Sequence, residues 1–292
     1  MPAIELAPGL RRLTAPNPSP MTLHGTNSFL IGQTDLAVID PGPQSDAHLE
    51  AILAEVGPDQ RISHILVTHS HRDHSPLSRA LSRATGAPVL AAGRSDWGRP
   101  PSMRALADAG LIGGGEGVDE GFVPDRQLAD GEFISADGWR VEALHTPGHM
   151  ANHLCFAWGD ALFTGDLVMG WSTSLISPPD GDLTAFRRSL RRLMARSDRI
   201  YYSAHGDAVT DPHARVSELI AHRAGREDQI LAALAEGPAT PHALTARIYT
   251  DVAPALRSVA ERNVLAHLID LVERNIAEPI GEMAATGQFQ LK

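Results

Sequence analysis

Seven consecutive residues decide the fold of this 292-residue chain: Thr68-His69-Ser70-His71-Arg72-Asp73-His74. They follow an apolar run, Ile65–Thr68, that is typical of a buried strand. In extended backbone successive side chains alternate, so His69 and His71 are predicted to project to the same side and to bind one metal ion. Asp73 and His74 follow where the chain turns into the next helix, and this change of direction aims them at a second, nearby point.

Three further residues of metal-ligand type occur just after predicted strands. Each has a glycine next to it, which lets the backbone turn sharply. They are His149 after strand 141–144, Asp166 after strand 162–164 and His205 after strand 200–203. Because open α/β folds place their ligand sites in the loops at one sheet edge, we expect these residues to meet there. The predicted dinuclear site binds one ion with His69, His71 and His149 and a second with Asp73, His74 and His205, and Asp166 bridges the two.

Composition limits the chemistry of this site. Cys155 is the one cysteine, which excludes an intrachain disulfide and a thiolate-rich zinc or iron–sulfur centre. Lys292 is the one lysine, so a Schiff-base enzyme or a P-loop nucleotidase is a poor fit. Nitrogen and oxygen ligands favour Zn(II), with Mn(II) and Fe(II) as alternatives.

The charge and hydropathy of the chain indicate an ordinary globular protein. The formal net charge is −10 and 43% of the residues are hydrophobic, which argues against wholesale binding of nucleic acid or membrane. No apolar run is long enough to span a bilayer. The segment 1–6 lacks the basic and apolar parts of a signal peptide, so we expect a cytoplasmic protein without a membrane partner.

Strand and helix patterns alternate through the first two-thirds of the chain. This order predicts an α/β fold, either a mixed sheet or a sandwich, with helices outside. The predicted strands are 28–31, 36–39, 65–68, 89–91, 141–144, 154–158, 162–164 and 200–203, and the predicted helices are 46–56, 76–85 and 183–196. The Gly- and Pro-rich segment 100–125 interrupts the pattern, carries one short helix at 102–109, and is either a lid or an ornament.

The pattern becomes helical after residue 213. Helices are predicted at 214–235, 241–249 and 254–274, followed by a hairpin within 280–291. Leu256, Val259 and Leu268 belong to the apolar stripe of the third helix. Three helices and a hairpin are typical of a winged-helix unit, which binds DNA in some proteins and protein in others. We therefore predict a hydrolase domain at 1–213 and a winged-helix-like domain at 214–292.

The motifs resemble those of the metallo-β-lactamase superfamily. The resemblance rests on the His-x-His-x-Asp-His segment, the Thr-Pro-Gly-His turn at 146–149, Thr-Gly-Asp at 164–166 and the His-Gly pair at 205–206. It implies a four-layer αβ/βα sandwich. Segments 17–32, 162–170, 222–231 and 262–273 look like the β-lactamase-like protein 2 group, which carries a C-terminal winged helix and includes single-strand endoribonucleases. Ser75-Pro76, Met150 and Ser203-Ala204 depart from the usual pattern but remove no ligand.

The ligand set implies hydrolysis without a protein nucleophile. Two divalent ions about 3.5–4 Å apart share a hydroxide that is nucleophilic at neutral pH. The same ions polarise the oxygen under attack. Asp73 is the predicted catalytic proton shuttle, because a metal-bound carboxylate lies beside the nucleophile.

Four features near the ligands each admit two interpretations. Asp40 either supports the ligand loop by hydrogen bonding or only initiates the turn at Pro41-Gly42. His153 is either a substrate contact or a core histidine, and Trp171 either stacks on substrate or packs. The arginines of 187–199 form either a track for RNA phosphates or a solvated helix face.

The leading functional hypothesis is a dinuclear metal-dependent hydrolase of a small ester, thioester or lactam/lactone substrate, with promiscuous β-lactamase activity. The first alternative is a single-strand endoribonuclease, which the winged helix and the arginine-rich helix favour. An alternative of another class is a nucleic-acid-binding winged-helix protein with a vestigial metal domain. The appended helices also offer a surface for a homodimer.

Overall fold

A seven-stranded sheet forms the first half of the molecule, with its strands in chain order. The computed structural model describes residues 3–250 and 252–292. The strands β1 to β4 pair antiparallel, whereas β4 to β7 run parallel because a helix crosses over between successive strands. The strands are β1 Ile4–Ala7, β2 Leu10–Thr14, β3 Asn27–Ile31, β4 Asp35–Ile39, β5 Arg61–Leu66, β6 Val89–Ala91 and β7 Arg126–Gln127; the crossover helices are α1 Asp46–Ala54, α2 Ser78–Thr85 and α3 Pro101–Asp108.

A five-stranded sheet faces the first. Its order is β12-β11-β10-β9-β8, and only the pair β11–β12 is parallel, joined through helix α4. Its elements are β8 Glu132–Ala136, β9 Trp139–His145, β10 Leu154–Trp158, β11 Ala161–Gly165, α4 Leu183–Met194 and β12 Ile200–Ser203.

Three apolar layers hold the sheets and helices together. Between the sheets Phe29 and Phe163 pack with ring centroids 5.0 Å apart. On the outside, Leu81 of α2 packs on the first sheet and Phe186 of α4 on the second. This arrangement confirms the four-layer αβ/βα sandwich.

The C-terminal helices and hairpin form a small winged-helix unit with its own core, as predicted. Its elements are α5 Pro212–Ala235, α6 Pro241–Ile248, a 3-10 turn Pro254–Leu256, α7 Arg257–Glu273, β13 Ala277–Ile280 and β14 Gln288–Leu291. Helix α5 belongs to both units, because Leu219 packs in the sandwich whereas Ile230 packs with Phe289 in the C-terminal core. The domain boundary at 213/214 stays a prediction.

Segment 100–125 is pinned to both units. Met103 and Leu106 of α3 pack in the C-terminal core. Further along, the Asp119 amide donates to the Ser70 carbonyl at 2.9 Å, and Val118 forms an isolated β-bridge with His71. The segment therefore connects the predicted metal-ligand loop to the winged-helix unit. The sequence predicts a lid or an ornament here, and neither prediction includes contacts with both units.

The strand before the ligand motif ends earlier than predicted. It runs from Arg61 to Leu66, and the prediction that it continues to Thr68 is wrong. The Thr68 amide donates to Asp40 Oδ1 at 2.7 Å instead of joining the sheet ladder. His69 and His71 therefore lie on a loop, and their common direction comes from tertiary contacts rather than strand alternation.

Within the described residues, no helix combines the length and the apolar character that crossing a bilayer requires.

Four strands were missed by the sequence analysis. Strands β1, β2, β7 and β8 carry exposed or half-buried positions, and such short polar strands leave a weak hydropathy pattern.

Candidate metal centre

Asp40 organises the loop that carries the first four ligands. It follows β4 in a left-handed backbone conformation with φ of +50°. Its carboxylate accepts from the Thr68 amide and the Thr68 hydroxyl, both at 2.7 Å, and its Oδ2 lies 3.0 Å from His74 Nδ1. These contacts are the ones that the predicted supporting role of Asp40 requires. Asp40 also lies in a turn, as the other interpretation has it.

The first group of ligand atoms is three imidazole nitrogens. His69 Nε2 and His149 Nε2 each lie 3.0 Å from His71 Nδ1. All three rings are buried. Three imidazole nitrogens this close to one another are the arrangement that a shared cation stabilises.

Hydrogen bonds on the far side of the rings leave the inner nitrogens unprotonated. His149 Nδ1 lies 2.7 Å from the Leu175 carbonyl, which can only accept, so Nδ1 carries the proton and Nε2 a lone pair. The Thr68 hydroxyl donates to Asp40 and therefore accepts from His69 Nδ1 at 3.0 Å. Such outward donors fix the tautomer and orientation of metal-binding histidines.

The second group contains Asp73, His74 and His205. Asp73 Oδ2 lies 3.3 Å from His74 Nε2 and 3.2 Å from His205 Nε2. His205 Nδ1 lies 3.1 Å from the Gly25 carbonyl, so its inner nitrogen also faces the cluster.

Asp166 lies between the two groups. Its Oδ2 is 3.5 Å from His149 Nε2, and its Oδ1 is 3.3 Å from His205 Nε2. Gly165 before it has φ of +49°, and a β-carbon there would come within 2.6 Å of His153 Nε2. The glycine thus allows the backbone to pass close to the ligands and to present one carboxylate to both groups.

Electrostatics divide the histidines of the centre into two sets. Burial lowers the pKa of His71 to about 3 and lowers those of His69 and His149 as well, so these rings are neutral at pH 7. Burial also acts to lower the pKa of His205, but Asp166 and Asp73 raise it to about 10. The carboxylates therefore require positive charge at this point, which protons supply here and divalent ions supply when they displace those protons.

The donor set fits divalent metal ions. Among the described residues, the buried atoms His74 Nε2 and Asp166 Oδ1 have no hydrogen-bond partner, which is costly unless another ligand satisfies them. Three overlapping groups of histidine and aspartate have their ligand atoms within 4.8 Å of one another. They are His69, His71 and His149; His69, His74 and Asp166; and Asp73, His74 and His205.

A cavity of about 320 Å³ extends from these ligands to the winged-helix unit. Asp73, Asp166 and His205 line one end. The opposite wall comes from α5, α7 and the segment between α6 and α7, and it combines apolar and polar side chains. Its apolar and aromatic residues are Tyr249, Val252, Leu256, Val259 and Ala260, and its polar residues are His222, Arg223, Arg226 and Asn263.

The remaining predicted residues are placed as follows. Trp171 lines the cavity, is 37% exposed, and lies against Gly206, beside His205. His153 is fully buried behind the ligands, its Nδ1 lies 3.0 Å from the Thr146 hydroxyl, and it does not line the cavity. Its position favours the core histidine over the substrate contact.

Most arginines of segment 187–199 pair with carboxylates. Arg187 bonds Glu227 and Asp270, Arg192 bonds Asp130, Arg196 bonds Asp198, and Arg199 lies near Asp160. Arg188 and Arg191 are exposed. The continuous phosphate track that the sequence suggested is not present as a free basic surface.

Sequence reasoning missed the C-terminal wall of the cavity. Leu256 and Val259 belong to the predicted apolar stripe of the third helix, and both line the cavity. Arg223 and Tyr249 also line it and were not singled out. Hydropathy carries no signal for Leu256 and Val259, because an apolar residue that faces a cavity follows the same periodicity as one that faces a core.

Comparisons with known proteins identify the family of the chain. The family model of the metallo-β-lactamase superfamily matches residues 21–205, and that of the β-lactamase-associated winged-helix domain matches residues 240–284. The chain therefore belongs to the metallo-β-lactamase superfamily and is an enzyme of that fold, a hydrolase.

Individual relatives cover much of the chain. An atrochrysone carboxyl ACP thioesterase of Aspergillus fumigatus is 31% identical over 80% of this chain and 68% of its own length. The crystal structure of metallo-β-lactamase family protein TTHA1429 from Thermus thermophilus is 27% identical, with a TM-score of 0.78 over 99% of this chain and 100% of that one. TTHA1623, described in a di-iron-bound form, is 26% identical with a TM-score of 0.50 over 68% of this chain and 93% of that one.

Proposed function

We propose that the protein is a dinuclear metal-dependent hydrolase of a small acyl substrate, with a thioester as the first choice. The observation that carries the proposal is the cavity of about 320 Å³, which has the predicted ligands at one end and the apolar side chains Val252, Leu256 and Val259 in the wall at the other. A volume of this size suits one small organic molecule. A thioesterase among the relatives supports the choice within the acyl class.

The proposed ions are held by the seven predicted residues. One is assigned to His69, His71 and His149, and the other to Asp73, His74 and His205, with Asp166 between them. Two divalent ions supply Lewis acidity and lower the pKa of water. Zn(II) suits the all-nitrogen-and-oxygen set, and Fe(II) and Mn(II) are alternatives.

Residues of the chain would orient the acyl group and move the proton. The apolar wall around Leu256 and Val259 takes the acyl chain, which places the carbonyl at the polar end. Trp171 stacks along the path between the two ends. Asp73, which lines the cavity beside His205, is proposed to hold the proton of the attacking water and to pass it to the leaving sulfur.

RNA is the less supported substrate. Arg187, Arg192 and Arg196 already pair with carboxylates, and the formal net charge is −10. A vestigial metal domain is disfavoured because the seven ligand-type side chains fall into three overlapping groups, in each of which the ligand atoms lie within 4.8 Å of one another. A homodimer and a cytoplasmic location stay predictions.

The test compares substrate classes with and without metal. The chelated protein and the protein reloaded with two equivalents of Zn(II) are assayed on an aromatic acyl N-acetylcysteamine thioester, on nitrocefin and on a single-stranded RNA. We expect thioester hydrolysis only in the reloaded protein, slower opening of nitrocefin and intact RNA.

His205→Ala serves as the metal-site control and is expected to lose thioester hydrolysis. Thioester hydrolysis at an equal rate in the chelated protein would contradict the metal mechanism. Metal-dependent RNA cleavage without thioester turnover would replace the acyl substrate by a phosphodiester.

A further inference from the structure

Arg223 of α5 is a buried arginine outside the ligand set. It is 2% exposed, and its Nη1 donates to Asn263 Oδ1 at 2.9 Å. Its Nη2 donates to the Ser174 carbonyl, in the loop that follows the bridging aspartate. Burying a guanidinium is costly, and the Nε of Arg223 has no hydrogen-bond partner among the described residues, so these two bonds are the ones that hold the side chain in place. Arg223 therefore ties the winged-helix unit to this loop of the sandwich.

Asn263 of α7 contacts the same loop from the second helix of the wall. Its Oδ1 accepts from the Ile176 amide at 3.1 Å as well as from Arg223. One side-chain oxygen thus joins α5, α7 and the loop. Its Nδ2 donates to the Val259 carbonyl at 3.3 Å within α7, which fixes the orientation of the amide.

Leu175 stands between the two points that these residues hold. The Ser174 carbonyl and the Ile176 amide are fixed by Arg223 and Asn263, and the intervening Leu175 carbonyl accepts from His149 Nδ1 at 2.7 Å. The Leu175 carbonyl and the Ile176 amide belong to one planar peptide group, and the Ser174 carbonyl belongs to the preceding one. The two contacts therefore hold the direction of the Leu175 carbonyl. It keeps the proton on Nδ1 and directs Nε2 of His149 towards His71.

We propose that Arg223 and Asn263 are positioning residues through which the winged-helix unit orients the metal ligand His149. The inference rests on the proposed function, because it assigns His149 to one of two ions. It gives the C-terminal unit a second role beside shaping the cavity. Truncating the winged helix would then weaken metal binding at a site to which that unit contributes no ligand.

The test is a two-site Zn(II) titration with a chromophoric competitor. Asn263→Leu keeps the size of the side chain but removes the acceptor of both bonds. We expect it to weaken one of the two ions about 10- to 100-fold, the range seen when partners of metal-bound histidines are removed. The other ion should bind within about twofold of the wild type.

Matched variants separate positioning from general loss of stability. His149→Ala and His205→Ala identify the weakened ion, which should be the one that His149→Ala also affects. Asn263→Asp keeps the acceptor oxygen and should restore affinity to within about threefold of the wild type. Thr245→Val removes a buried hydrogen bond to the Pro241 carbonyl within α6, away from the loop, and should leave both ions unchanged.

A second readout follows the His149 ring directly. In the Zn(II)-loaded protein the imidazole Nδ1 proton should exchange with water faster in Asn263→Leu than in the wild type. If Asn263→Leu does not fold, Arg223→Lys, which keeps the charge but loses the two-point contact, takes its place.

The outcomes separate the two proposals. Equal affinity for both ions in Asn263→Leu and the wild type, or equal weakening in Thr245→Val, would overturn the positioning role alone. A wild-type protein that binds no divalent ion would overturn the dinuclear function together with it.

Discussion

The two ends of the cavity differ in how their residues are fixed. The metal end consists of buried histidines and aspartates on short loops after strands, where the histidines have outward hydrogen bonds, such as His74 to Asp40 and His205 to the Gly25 carbonyl. The opposite wall consists of side chains on α5, α7 and the segment before α7, and it combines apolar and polar side chains.

The two ends of the cavity therefore have different roles. Loops at sheet edges hold polar atoms at fixed short distances, which chemistry needs. Apolar side chains on helix faces can be substituted without altering those distances. Such positions suit selection of the acyl group. The Arg223–Asn263 contact joins the two ends. We therefore expect substitutions in the wall to alter substrate choice without altering the metal end, whereas loss of this contact weakens metal binding.

The largest expected effect comes from the metal end. Asp166→Asn removes the charge that both ligand groups share and should lower kcat/KM by about 10²- to 10³-fold, the range found when a group that stabilises the transition state is removed. The loss should come with reduced binding of both ions, measured by titration.

Asp160→Asn is the matched control for this change. Asp160 is exposed and lies near Arg199 on the outer surface, so its substitution should leave both measurements unchanged. Wild-type turnover by Asp166→Asn would remove the bridging carboxylate from the mechanism and break the contrast between the two ends.

A smaller effect is expected at the apolar wall. Val259→Phe narrows the cavity and should raise KM about tenfold for a large aromatic thioester while leaving a short acyl thioester unchanged, because steric discrimination in apolar pockets is of this order. Zn(II) affinity should not change. Ser258→Phe, on the exposed neighbour, is the control. An equal effect on both thioesters would mean that the wall does not select the acyl group.

The smallest effect on activity is expected at a histidine that belongs to neither end. His48 of α1 is buried against the Ser28 hydroxyl at 2.8 Å, and burial lowers its pKa to about 4. Because this folded-state pKa lies below the ordinary value of 6.5, its contribution to stability is present above pH 6.5 and is lost as the pH falls.

Urea unfolding at pH 7 and pH 5 tests this behaviour. Between these values the wild type should lose about 2 kcal/mol more of its free energy of unfolding than His48→Gln, by linkage. Thioester hydrolysis at pH 7 should be the same in both proteins. Equal losses on acidification would mean that His48 stays neutral in the unfolded chain or is already charged when folded.

Much of the metal end was predictable because its chemistry is local in sequence. His69, His71, Asp73 and His74 lie within six residues, and each later ligand follows a strand beside a glycine. The reason given for their convergence was partly wrong, since the strand ends at Leu66 and Asp40 shapes the loop. The predicted ligand side chains come together despite this error, because a loop that is anchored at both ends lies at the same sheet edge.

The apolar wall was not predictable because its residues face a space between two units. The sequence predicts a winged helix but not the part of the sandwich on which it docks. At 100–125 it predicts a lid or an ornament, and not a segment that contacts both units. Docking depends on contacts such as Arg223 to the Ser174 carbonyl and Met103 in the C-terminal core, which join positions far apart in the chain.

By itself, the sequence determined which atoms are available for chemistry. Five histidines and two aspartates in characteristic spacing, with one cysteine and one lysine, define a nitrogen-and-oxygen metal site in a sandwich fold. The tertiary structure alone decided what encloses that site, because a cavity wall is made by packing between units. Hydropathy records that Val259 is apolar, but only packing decides whether it faces a core or a substrate.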